Sequence, residues 1–304
     1  MKLAIVGSGA LGLTFAAGLA RKHDVIVLAR RVEVADAIAR DGIALDRNGG
    51  EVEHVAVRVT LDPHALADRD AVVVAVKAHH TRDALAPLRG VLGPSALVAS
   101  VQNGLDNDRV ARDALPESRV IAGSTTQGAV VLGPGRVHAN RGGTTIFARD
   151  ERAHPVSDEL ASAFTQSGFD ARVVDDITPV LWTKLVINAT INPLGALARR
   201  TNGAIASDSD LVALARTLAQ EAAAVAAAEG VRIDDPWALV EAAARATAAN
   251  RNSMLQDLDA GRTTENDAIG GAVIRHANVH GIPVPLTDVI VKLVRARERQ
   301  ETQR

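Results

Sequence analysis

Apolar positions along the chain follow two rhythms. In the first half, short unbroken apolar runs alternate with longer segments of helical character. KLAIV (2–6), VIVLA (25–29), AVVVAV (71–76) and ALVASV (96–101) have strand length and are apolar apart from Lys2 and Ser100. That pattern predicts strands covered on both faces, as in a parallel sheet. An Ala/Leu-rich segment running to about Lys22 and the stretch VADAIAR (34–40) predict the intervening helices. Around 118–149 the pattern shifts to β-rich pieces broken by Gly-Pro-Gly and Gly-Gly, which predict antiparallel hairpins finishing the sheet. A helix over 154–167 and a short strand over 171–174 follow.

Beyond Asp175-Asp176 the spacing becomes helical almost throughout. Helices are expected over 177–195, 209–229, 235–250, 264–280 and 286–298. Asn202-Gly203, Gly230, Pro236, Gly261 and the Gly281-Ile282-Pro283 turn mark the breaks. The expected architecture is α/β: an N-terminal Rossmann-type parallel-sheet domain over 1–172, followed by an all-α C-terminal domain over 173–304. A length of 304 residues suits two cores of that size.

Composition narrows the classes of function. Aromatic residues are only 2% of the chain, with no Tyr, so base stacking is not its main binding device. A formal net charge of −2 argues against nucleic acid or a membrane surface as partner. The absence of cysteine removes disulfides, thiolate metal sites and cysteine nucleophiles together. No metal-ligand spacing occurs among the nine histidines, so no metal is expected. The opening apolar run is broken by glycines and lacks a cleavage site, and no uninterrupted apolar run reaches the ~18 residues of a membrane span. A cytoplasmic location is the expectation. The Ala-dense helices could serve a homodimer interface or pack against their neighbours.

Gly7-Ser8-Gly9-Ala10-Leu11-Gly12 follows the first strand and opens the first helix. A G-x-G-x-x-G turn in that context serves a dinucleotide pyrophosphate: tight turn, close backbone approach, close helix packing. Where an NAD-preferring site carries Asp or Glu, after the second strand, this chain has Arg30 and Arg31. Two guanidiniums suit a 2′-phosphate, so NADPH is the expected cofactor. Lys77 and Asn103 follow two further strands, at the edge where open α/β sheets bind ligands.

In the helical half, WTKLVINATINPLG (182–195) sets Lys184, Asn188 and Asn192 at i, i+4 and i+8, one polar stripe on an otherwise apolar helix. A lysine beside neutral amides is a pattern that can serve a polar ligand, the lysine as a cationic proton donor and the amides as uncharged hydrogen-bonding groups. With a dinucleotide as the expected cofactor, a cationic donor would stabilise any negative charge that hydride transfer leaves on oxygen. The bland alternative is a snorkelling lysine with amides satisfied inside the bundle. The direction of the Lys184 pKa shift is open, because burial and a nearby carboxylate act oppositely.

These stretches, with VKAHH (76–80), SVQNGLDN (100–107), NSMLQDL (252–258) and TEND (264–267), occur in the order found in ketopantoate reductases (2-dehydropantoate 2-reductases), and the chain resembles that family over nearly its whole length. The resemblance implies NADPH-dependent reduction of ketopantoate, a small 2-oxo acid, on the way to pantothenate. It implies Lys184 as general acid and Glu265 in the same catalytic cluster. Asn103, Asn188, Asn192, Asn202 and Ser253 would hold the substrate; Asn103 would also meet the nicotinamide ribose and Lys77 the cofactor. The family usually has Ile where Asn266 stands and Asn where Gly270 stands. Both departures lie in the expected Glu265 helix, which leaves the exact 2-oxo acid open.

Overall fold

The computed structural model describes residues 1–47, 52–140, 142–150 and 155–301. The chain forms two compact units, Met1–Gln102 with Asn107–Ile177, and Asn103–Asp106 with Thr178–Arg304.

In chain order the first unit comprises β1 (Lys2–Val6), α1 (Ala10–Leu19), β2 (Asp24–Leu28), α2 (Val32–Asp41), β3 (Ile43–Asp46), β4 (Glu53–Val55), β5 (Arg58–Thr60), β6 (Ala71–Val74), α3 (Thr81–Leu85), β7 (Leu97–Ser100), α4 (Asn107–Ala114), β8 (Arg119–Thr125), β9 (Ala129–Gly133), β10 (Arg136–Ala139), β11 (Thr144–Ala148), α5 (Val156–Gln166) and β12 (Asp170–Val174). Its main sheet has the order β12-β11-β8-β7-β6-β1-β2-β5. From β5 to β8 all neighbours are parallel, in the doubly wound order whose direction reverses between β1 and β6. Burial on both faces explains the unbroken apolar runs. Leu3, Ile5, Val25, Val27, Val73 and Ala99 enter one core cluster. Their chain neighbours Ala4, Val6, Ile26, Val72, Val74 and Val98 enter another. All four phenylalanines, Phe15, Phe147, Phe164 and Phe169, gather in edge-on or tilted contacts, with neighbouring ring centroids 5.0–5.6 Å apart.

The expected hairpin region divides. β8 and β11 extend the main sheet, but β9 and β10 leave it for a second sheet of order β4-β3-β10-β9. There β10 runs parallel to β3, with Arg136 opposite Ala44 and Val137 opposite Leu45. Strands β3, β4 and β5 carry charged residues within very short runs, so their hydrophobic periodicity gives little signal. The helix expected over 154–167 is described from Val156; residue 154 lies outside the described residues.

The second unit contains α6 (Thr178–Ala198), α7 (Ser209–Ala228), α8 (Pro236–Ala246), α9 (Ser253–Asp259), α10 (Gly270–His280) and α11 (Pro285–Glu301). α6 packs against α7, α8, α9 and α11, burying Trp182, Leu185, Val186, Ala189, Ile191 and Leu194. On α7 the buried stripe Ala215, Leu218, Ala219, Ala222, Val225 and Ala226 belongs to the same core, where small side chains let helices approach closely. Among the described residues α7 alone is long and apolar enough to cross a membrane, yet it carries Arg216 and Glu221 mid-helix.

One expected boundary moves. The helix foreseen over 264–280 begins at Gly270, and 265–269 form turns in which Ala268 and Ile269 donate to the Glu265 carbonyl. Thr264 Oγ1 accepts from the Asn266 N–H, and the consecutive glycines 270 and 271 disfavour an earlier helix start. α9 was not expected as a helix; Asn252 caps it by accepting from the Leu255 N–H, and Ser253 is its first residue.

Candidate active site

In the first unit, the glycine turn is built by close approaches. Gly7 has φ +116°, and a Cβ there would lie 2.8 Å from Val76 Cγ1. A Cβ on Gly12 would sit 2.0 Å from the Gly7 carbonyl oxygen, so only glycine lets α1 start this close to β1. Gly9 differs: nothing lies nearer than 4.0 Å to its missing Cβ. It caps α1 without any side-chain hydrogen bond, and Ser8, Gly9, Ala10 and Leu11 keep solvent exposure while Gly7 and Gly12 are buried. Open space at a helix N-terminus with uncapped amides suits a pyrophosphate.

Arg30 and Arg31 are both exposed at the start of α2. Arg31 pairs with Glu33 at 3.5 Å. Arg30 makes no ion pair among the described residues and lies near His80. Burial, then the neighbouring His79 and Arg30, push the His80 imidazole below its ordinary value. Lys77 caps a short 3-10 turn over Ala78–His80 just past β6. That loop is fixed by Gln102, buried beyond β7, whose Nε2 donates to the Val76 carbonyl and Thr81 Oγ1, both at 2.8 Å. Ser100 Oγ donates to Gln102 Oε1 at 3.0 Å, which orients the amide. Gln102 therefore ties the ends of β6 and β7 together.

The second unit holds the other chemistry-bearing groups. Lys184, Asn188 and Asn192 do lie on one continuous helix, α6. Lys184 is half-buried with its ammonium among protein atoms; burial pulls its pKa down to about 8, and the Glu265 carboxylate opposes this. So burial outweighs the attraction of the carboxylate. Glu265 is 7% exposed and accepts from Asn103 Nδ2 at 3.0 Å. Gly104, at φ +89°, permits that contact, because a Cβ would fall 2.1 Å from the Ala268 carbonyl oxygen, which also accepts from the Leu105 N–H at 3.1 Å.

Asn188 is half-buried and Asn192 6% exposed, and no described protein group hydrogen-bonds to either amide. Amides so placed on the lysine stripe have bonding capacity left for a ligand. Asn202 is placed differently: its Nδ2 donates to Thr247 Oγ1 at 2.9 Å and its Oδ1 accepts from Asn252 at 3.5 Å. Its amide is therefore anchored within the helical unit. Ser253 is exposed beside Asn252. The two departures from the resembled family face α11. Asn266 Nδ2 donates to the Val291 carbonyl at 3.0 Å, and a Cβ on Gly270 would lie 2.5 Å from Val291 Cγ2. Both residues serve helix packing.

Two family models match the chain: Ketopantoate reductase PanE/ApbA over residues 3–151, and Ketopantoate reductase PanE/ApbA C terminal over 176–298. A curated relative from Halobacterium salinarum, a 2-dehydropantoate 2-reductase, is 33% identical over 304 residues, covering 98% of this chain and 99% of its own. A PanE/ApbA family ketopantoate reductase structure from Ralstonia eutropha superposes with a TM-score of 0.91 at 32% identity, covering 99% and 100% of the two chains. The ternary structure of D-mandelate dehydrogenase with NADH and anilino(oxo)acetate gives 0.92 at 26% identity, with the same coverage. With both halves matched by family models and full-length relatives aligned end to end, the chain belongs to the ketopantoate reductase family.

Proposed function

We propose that the protein reduces 2-dehydropantoate (ketopantoate) to pantoate with NADPH. The observation that carries this reading is the Lys184 ammonium, lowered to about 8 by burial, beside the Glu265 carboxylate on which Asn103 is held. A lysine tuned to that value is charged at neutral pH yet gives up its proton readily, as a general acid must. When bound, NADPH supplies the hydride that forms the new C–H bond at the substrate's carbonyl carbon. Lys184 gives its proton to the carbonyl oxygen as negative charge grows there, yielding the alcohol. Glu265 keeps the ammonium charged before transfer, and Asn103 orients Glu265. The Asn188 and Asn192 amides bind the substrate's carboxylate and hydroxyl, with Ser253 contributing at the start of α9.

The residues of the glycine turn fit the cofactor: Gly7 and Gly12 shape it, and Ser8 to Leu11 offer the uncapped start of α1 to the pyrophosphate. Arg30, with no ion pair among the described residues, takes the 2′-phosphate, while Arg31 is partly engaged by Glu33. Lys77 lies beside the same strand ends. In the same reading the enzyme works on a small molecule in the cytoplasm, and the net charge of −2 supports this against nucleic acid or a membrane surface as partner. A homodimer belongs to the same proposal; it would use the outward face of α7, since the inward alanines serve the core. The test is NADPH oxidation with a panel of 2-oxo acids. Highest kcat/KM with ketopantoate is expected, and no turnover at millimolar ketopantoate overturns the reading.

A further inference from the structure

Segment Asn103–Asp106 is fastened at both ends. At one end Asn103 meets Glu265. At the other, Asp106 takes φ +67°, a left-handed conformation uncommon for a side chain other than glycine. Its carboxylate faces two residues of α10: Arg275 Nη2 donates to Oδ2 at 3.1 Å, and His276 Nε2 lies 3.4 Å from Oδ1. Arg275 does more than pair with Asp106. Its Nη1 donates to the Asp267 carbonyl at 3.0 Å, inside the turn that carries Glu265. One guanidinium thus joins the segment presenting Asn103 to the turn presenting Glu265. His276 is itself steadied by Glu229, whose Oε1 lies 2.7 Å from Nδ1, and by edge-on contact with Trp182.

We propose that Arg275 is a positioning residue for the reduction: by bridging the Asp106 carboxylate and the Asp267 carbonyl, it holds the Asn103 amide on Glu265. The inference rests on the function proposed above. A lysine is a poor replacement, because the two acceptors are reached from two different nitrogens of one planar guanidinium, whereas an ammonium offers a single nitrogen on a flexible stem. Arg275 is about half exposed, so its pairing contributes little to global stability. Its effect falls on the geometry around Glu265.

The test measures kcat, NADPH affinity and Tm for Arg275→Gln, Asp106→Ala and Asp106→Asn, alone and combined with Asn103→Ala. Arg275→Gln and Asp106→Ala are expected to lower kcat roughly three- to tenfold with NADPH affinity unchanged. Asp106→Asn, which keeps an acceptor and tolerates the left-handed backbone, restores most of the rate. In the Asn103→Ala background neither Arg275→Gln nor Asp106→Ala lowers kcat further, because both act through that amide. An unchanged kcat, or an equal additional fall without Asn103, overturns the proposal. Should the unaltered enzyme reduce no 2-oxo acid, the functional reading falls, and hydrogen exchange at the Leu105 amide decides the bridge by itself. Lost protection in Arg275→Gln supports it, and unchanged protection overturns it.

Discussion

Asn103 Nδ2 donates to Glu265 Oε2 at 3.0 Å, joining residues 162 positions apart in the chain. Glu265 also acts on Lys184, whose proton affinity it raises against the lowering by burial. The three side chains therefore form one electrostatic unit, in which the amide holds the carboxylate and the carboxylate moderates the effect of burial on the lysine.

The pH dependence follows from the sign of that balance. With Lys184 at about 8, the proposed proton donor is charged well below that value and loses its proton as pH rises through it. The reductive kcat should fall tenfold per pH unit above about 8, while the reverse oxidation gains. Removing the opposing carboxylate with Glu265→Gln should move this limb to lower pH. A limb that stays put or moves upward shows that Glu265 does not act on Lys184.

Lys184→Ala should reduce kcat by about 10²–10⁴-fold, the usual range for a positioned proton donor. NADPH affinity, measured by fluorescence titration, should stay within about twofold, because the glycine turn is untouched. Weakened cofactor binding at normal kcat would assign the lysine elsewhere.

Gly104→Ala tests the backbone approach beneath Asn103. The added Cβ meets the Ala268 carbonyl oxygen at 2.1 Å and the residue must keep φ +89°. Strain of about 1–3 kcal/mol is expected, read as a lower Tm in thermal unfolding. A fall in kcat should accompany it as Asn103 is pushed off Glu265. Wild-type kinetics in this variant would separate Asn103 from the chemistry.

Cofactor choice should depend unequally on the two arginines. Arg30→Gln should lower the preference for NADPH over NADH by about ten- to a hundredfold, the loss of a charge-assisted contact to phosphate. Arg31→Gln should lower it less, since Glu33 already engages that guanidinium at 3.5 Å. Ratios of kcat/KM with the two cofactors decide; equal losses would make the pair redundant.

Substituting Asn266→Ile should leave the ranking among 2-oxo acids unchanged. Its amide binds the Val291 carbonyl, so the variant loses a buried hydrogen bond and about 1–3 kcal/mol of stability instead. A changed substrate ranking would bring position 266 back into the pocket.

How much of this was legible in the sequence depends on the range over which each feature is encoded. The parallel strands announced themselves, because burial on both faces leaves an unbroken apolar run such as Ala71–Val74. The Lys184 stripe was equally legible, since helical periodicity is local and α6 is 21 residues long. Glu265 carried a misleading local signal: acid, polar cap and apolar spacing suggested a helix, whereas paired glycines delay α10 to Gly270. The protein partners of the Asn202 amide, Thr247 and Asn252, lie 45 and 50 positions away, beyond any local pattern. The left-handed backbone of Asp106 and its link to Arg275, across 169 positions, left no periodic trace. The second sheet was hidden for the same reason: β3 finds β10 only in three dimensions.

The second unit is not a continuous piece of chain, for it includes Asn103–Asp106. A polypeptide starting at Thr178 would retain Lys184, Glu265 and Arg275, yet lack the amide that orients one and the carboxylate that engages another. Recombining halves from different relatives at residue 177 would therefore transplant these four residues with the nucleotide-binding donor. In such a chimera the partner of Glu265 comes from the nucleotide-binding donor, so the pairing is kept whatever the donor only if positions 103–106 travel with the helices.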